Sequence, residues 1–124
     1  MSNVGGEMKR TVYLAGRITG DPYYFSKFYE AEKALTADGF IVLSPAILPP
    51  SGFEWEQYMH VSGAMLDICT SACFLPDWNE SRGARLEHDR AIAQGKDVFY
   101  FDEWIQGRTT KPTTMEKTEV NDIA

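Results

Sequence analysis

The stretch whose residue types and spacing point most directly to chemistry is Ser81-Arg82-Gly83-Ala84-Arg85-Leu86-Glu87-His88. It follows an apolar run, residues 72–75, that reads as a buried strand, and it leads into residues 86–94, which read as a helix closed by Gly95. A strand-to-helix junction presents unpaired backbone N–H groups and the positive end of the helix dipole, so an anion binds there readily. Ser81 suits such a place as a cap or as a hydroxyl donor to a phosphate, and Gly83 lets a ligand approach the backbone. Glu87 falls in the first turns of the helix, where the dipole and the nearby Arg82 and Arg85 favour its ionised form. A carboxylate held anionic beside a phosphate-binding loop is a candidate nucleophile. The plainer explanation is that glutamate is common near helix starts because the dipole stabilises it there.

The elements that must position these residues follow in order. Residues 11–15 form a short β-prone run, and residues 16–22 form a loop with two glycines and a proline. A helix is predicted over 23–38, with Phe25, Phe28, Ala31 or Glu32, and Leu35 at helical spacing and Gly39 as its stop. Residues 40–43 are the second strand, 47–53 a proline-rich loop, and 54–69 a helix with Tyr58, Val61, Met65 and Ile68 near one stripe. A fourth strand covers 97–101, after which the pattern fades.

Strands alternating with helices predict an α/β fold: a single-domain, flavodoxin/Rossmann-like doubly wound parallel sheet of about four to five strands with helices on both faces. The expected organisation is a flexible leader over 1–10, the domain over 11–105, and a polar tail over 106–124 that is flexible or packed on a neighbouring subunit. Ligands bind such sheets at the C-terminal strand ends. Three loops converge there: 16–22, 44–50 and 76–85.

The formal charge of −6 argues against binding nucleic-acid polymers but allows small anions a local positive site. Cys69 and Cys73 match no disulfide or zinc pattern and read as small buried residues, so a cytoplasmic setting is the default. No apolar run is long enough to span a membrane. His60 and His88 have no metal-binding companions. Trp55, Tyr58 and Trp78 have either a base-stacking or a packing role, and Tyr23, Tyr24 and Phe25 are placed to line a base pocket. Lys27 and Glu30 read as a solvated face.

The chain resembles the nucleoside 2-deoxyribosyltransferase-like superfamily over residues 11–101. That superfamily includes nucleoside 5′-monophosphate N-glycosidases and a small branch common in phages and bacteria. The resemblance rests on Tyr13-Leu14-Ala15-Gly16-Arg17-Ile18-Thr19-Gly20, on Ser44-Pro45-Ala46, on Trp55-Glu56-Gln57-Tyr58-Met59, and on Leu75-Pro76-Asp77-Trp78 followed by residues 81–88. It implies that Glu87 attacks the anomeric carbon, that Tyr13 orients this carboxylate, and that Ser81 serves a 5′-phosphate. Gly16, Arg17, Ile18, Gly20, Arg82 and Gly83 are then expected around the phosphate, with Tyr24, Ser62 and Trp78 near the base or sugar.

The expected activity is hydrolysis of a (deoxy)ribonucleoside 5′-monophosphate to free base and sugar phosphate. It needs no cofactor or metal, and a homodimer or higher homo-oligomer is implied, in the cytoplasm of the cell or of a phage's host. Two departures stand out. Ser62 occupies the position where the superfamily usually has an aspartate that helps the base depart, with Asp67 one turn on, and Arg17 replaces a small residue or proline. The alternatives are a nucleotide-binding or sensing module, a deoxyribosyltransferase or, by analogy of fold, a glycosidase of NAD-like nucleotides.

Overall fold

The computed structural model describes residues 10–109. Strands β1 (Thr11–Ala15), β2 (Ile41–Leu43), β3 (Ser71–Phe74) and β4 (Asp97–Tyr100) alternate with helices α1 (Tyr24–Ala37), α2 (Trp55–Ile68), α3 (Arg82–Ala93) and α4 (Phe101–Thr109). All strand pairs are parallel, in the order β2-β1-β3-β4. This is the expected Rossmann-like, flavodoxin-like α/β fold. The chain runs outward from β1 to β2, then back across β1 to β3. Strand order therefore reverses between β1 and β3, and the loops leaving these two strands diverge to open a crevice.

Because the sheet is covered on both faces, its central strands are apolar after their first residues, Thr11 and Ser71. Alternation along β1 sends Val12 and Leu14 to one side, with Phe28, Ala31 and Leu35 of α1 and with Trp104 of α4. Tyr13 and Ala15 go to the other side, with Leu66 of α2 and Ala91 of α3. Each fully buried Leu or Phe stabilises the fold by roughly 1.5–3 kcal/mol.

Four expectations are corrected. Phe25 is 62% exposed instead of joining the core stripe of α1. The inward face of α1 is carried by Phe28, Ala31 and Leu35, and Phe25 lies off it. On α2 the buried positions are Ser62, Gly63 and Leu66, while Val61 and Ile68 face outward. Helix α3 approaches closely on this side, as its own Gly83 shows: a Cβ there would lie 2.9 Å from Met59 Sδ of α2.

Helix α3 starts at Arg82, ahead of the expected Leu86, because Ser81 Oγ accepts the Ala84 N–H at 3.1 Å and caps it. Finally, β4 passes directly into α4, where the pattern was expected to fade. Trp104 packs this helix against Phe40 and Phe99, beside its own Phe101. Helix α4 thus reaches into the segment expected as a tail; residues 110–124, and the leader up to residue 9, lie outside the described residues. Among the described residues no helix is long and apolar enough to cross a membrane.

Candidate active site

Glu87 is the centre of the site. It lies on the inward face of α3 with Gly83, Ala84 and Ala91, and it is 5% exposed. Among the described residues it is the one buried Asp, Glu, Lys, Arg or His. Ser62 Oγ, from α2, donates to Glu87 Oε2 at 2.6 Å and fixes the carboxylate's rotation. Tyr13, from the centre of β1, completes the group. Its hydroxyl is close enough for the Glu87 charge to act on it, yet it meets hydrogen-bond geometry with no protein group.

Burial decides the ionisation of both groups. It pushes the Glu87 carboxyl above its usual range, against the opposing effects of the Ser62 hydroxyl, the Tyr13 hydroxyl and the Arg90 charge. Burial, followed by the Glu87 charge, raises Tyr13 well above an ordinary phenol, so this hydroxyl stays protonated. The helix dipole and flanking arginines, expected to hold Glu87 anionic, do not dominate. Arg82 lies over the Trp55 ring at 4.1 Å, and Arg85 donates to Asn79 O at 3.0 Å.

Glu87 forms part of the wall of a cavity of about 630 Å³ at the strand-order switch. Its polar lining comes from Ser81, Gly83 and Ala84 at the start of α3 and from Gly16, Ile18, Thr19 and Gly20 of the loop after β1. The first amides of α3 have no partner within the helix, and the capping Ser81 keeps a proton to donate. Its apolar and aromatic lining comes from Tyr24, Pro45, Leu48, Pro49, Trp55 and Tyr58. There Tyr58 Oη donates to Pro49 O at 2.8 Å and ties the proline loop to α2.

The glycine loop is pinned in place. Lys27 Nζ donates to Arg17 O at 2.8 Å and to Asp21 Oδ2 at 2.5 Å, and it also pairs with Asp77 Oδ2. Asp77 Oδ1 in turn accepts the Arg17 N–H at 3.1 Å. Lys27 is therefore no solvated surface residue: it joins the loops after β1 and β3. Gly16 permits the fit, since a Cβ there would come within 2.8 Å of Leu75; Gly20, at φ +81°, turns the loop through the left-handed region.

The structure brings Tyr13, Gly16, Ile18, Gly20, Tyr24, Ser62, Ser81, Gly83 and Glu87 together around one cavity. It does not bring Arg17, Arg82 or Trp78 into the lining. Arg17 turns back on its own loop, to Thr19 O and Gly20 O, and approaches Glu80 at 3.7 Å. Trp78 stacks on His88 at 4.1 Å, and His88 Nε2 meets Tyr100 Oη at 2.7 Å, in an aromatic group outside the cavity. Asp67 is taken up by Arg90, at 2.8 and 2.6 Å, and does not reach Glu87. Tyr23 and Phe25 are exposed. Asp21, Lys27 and Asp77 were missed as site residues. The available signal was an acid in each of the two loops flanking the switch, which together call for a cation.

Fold and site define a class: a Rossmann-like α/β domain whose strand-order switch opens a mixed polar and aromatic cavity over one buried glutamate. Within that class the chain belongs to the family described as a domain of unknown function, DUF4406, whose model matches residues 10–100. No curated protein matches the chain.

Proposed function

We propose that the protein is an N-glycosidase of nucleoside 5′-monophosphates in which Glu87 is the nucleophile. The observation that carries this reading is the buried Glu87 carboxylate, held by Ser62 at 2.6 Å in the wall of a nucleotide-sized cavity. The phosphate occupies the part lined by the α3 amides, Ser81 and the glycine loop, and the base occupies the aromatic part. Between them the sugar's anomeric carbon faces Glu87. Loss of the base builds oxocarbenium character there, which a desolvated carboxylate stabilises and then captures. The resemblance to the nucleoside 2-deoxyribosyltransferase-like superfamily supports the same roles for Glu87, Tyr13 and Ser81. Assembly into a homo-oligomer belongs to this proposal.

The purified protein and Glu87→Ala are incubated with ribo- and deoxyribonucleoside 5′-monophosphates, and free base is followed by chromatography. Base release is expected from the wild type, with a loss of at least about 1000-fold in the variant. Full activity in Glu87→Ala refutes the assignment. The second reading, a nucleotide-binding module, is favoured by Ser62, which supplies no acid to the leaving base. It predicts a ligand-induced rise in Tm with no base released.

A further inference from the structure

The aromatic lining of the cavity suits a base of particular charge. The lining contains no lysine, arginine or histidine side chain. The cations nearest in sequence are engaged elsewhere: Arg17 with Thr19 O and Gly20 O, and Arg82 with one face of the Trp55 ring at 4.1 Å. What the lining offers instead is the rings of Tyr24, Trp55 and Tyr58 and the buried carboxylate of Glu87. Aromatic faces and a carboxylate that has a hydrogen bond from Ser62 but no ion-pair partner among the described residues favour a cation and give a neutral base no charged partner.

The proton inventory points the same way. A neutral base leaves as an anion unless an acid protonates it. Asp21 is the one other acid in the lining, and its bond with Lys27 keeps it ionised. Tyr58 already donates to Pro49 O, and Ser62 donates to Glu87. The Tyr13 hydroxyl keeps its proton, but burial and then the Glu87 charge raise it well above an ordinary phenol and make it a poor acid for the leaving base; no histidine and no further carboxyl lines the cavity among the described residues.

Building on the glycosidase reading, we infer that the substrate is a nucleoside 5′-monophosphate whose base carries a fixed positive charge, an N-ribosyl pyridinium or an N7-alkylated purine. A Glu87 oxygen bonds to the anomeric carbon as the C–N bond breaks. The electron pair of that bond goes to the base, cancels its charge and lets it leave neutral with no proton added. Water then adds its hydroxyl to the anomeric carbon, the ester bond to Glu87 breaks, and one proton passes to solvent. Such a nucleotide is a zwitterion that matches the cavity's two linings, phosphate at the α3 amides and cation among the rings.

The test uses matched pairs on the full chain: 7-methylguanosine against guanosine 5′-monophosphate, and nicotinamide mononucleotide against its neutral reduced form. Spontaneous loss is subtracted with Glu87→Ala. The cationic member of each pair is expected to show kcat/KM at least about 100-fold higher, the scale of a general acid made unnecessary. Ser62→Asp is expected to narrow the gap by supplying an acid. Equal rates within a pair, or faster cleavage of the neutral member, overturn this inference and leave the glycosidase reading intact. Binding without Glu87-dependent cleavage of any of the four overturns both.

Discussion

At the residue scale, burial of Glu87 costs stability, and in the proposed glycosidase that cost accompanies a desolvated nucleophile. Its folded pKa is raised above its unfolded value, so its contribution to stability is complete below about pH 4 and is lost as pH rises through the folded value. Glu87→Gln removes that loss. It is expected to raise stability by about 1 kcal/mol at neutral pH and to change Tm little near pH 4, as thermal melts at the two pH values will read. Ser62 acts in the opposite sense, since its hydroxyl favours the charged carboxylate. Ser62→Ala is therefore expected to move the acid limb of the base-release profile to higher pH. Losing a hydrogen bond to a charged group costs roughly 1.5–3 kcal/mol, so folding is weakened as well.

At the element scale, the site depends on two loops held by one ammonium group. Lys27 sits one turn into α1 but bonds the glycine loop and Asp77, so the loop's shape is set from two elements at once. Lys27→Met leaves Asp21 and Asp77 facing each other without a cation. Amide hydrogen exchange across residues 16–22 is expected to accelerate about tenfold or more without ligand, while the protected amides of β3 stay unchanged. This measurement stands whether or not the protein cleaves nucleotides. The inward face of α2 is also an element-level matter. Its apolar stripe reads as core, yet the helix turns Ser62, Gly63 and Leu66 inward, on the side where α3 approaches closely.

At the scale of the whole molecule, the two faces of the sheet do different work. Tyr13, Ser62 and Glu87 lie on the face covered by α2 and α3, while α1 and α4 cover the other with Phe40, Phe99 and Trp104. Arg108 Nη1 approaches Asp38 Oδ1 at 3.7 Å on that second face. Trp104→Ala is expected to cost about 2 kcal/mol in denaturant unfolding, because Trp104 is only partly buried. Nucleotide affinity, measured by calorimetry, is expected to stay at the wild-type value, since mutations at distant sites without shared partners act independently.

The sequence by itself determined the alternation of strands and helices, the parallel sheet and the capped α3 junction, because period, glycine stops and capping residues are local properties of the chain. It also marked Tyr13, Ser81 and Glu87 as the residues to follow. Helix α4 was not legible: nine residues with Phe101, Trp104 and Ile105 as their apolar set carry too little periodicity to stand out. Only the tertiary structure decided which charges serve the site. Arg82 and Arg85 look poised for an anion from their spacing, but packing sends them to Trp55 and Asn79. Lys27 looks solvated but closes the loops, and Glu87 owes its raised pKa to burial between α2, α3 and β1. Burial and long-range pairing depend on residues far apart in the chain, so no local pattern encodes them.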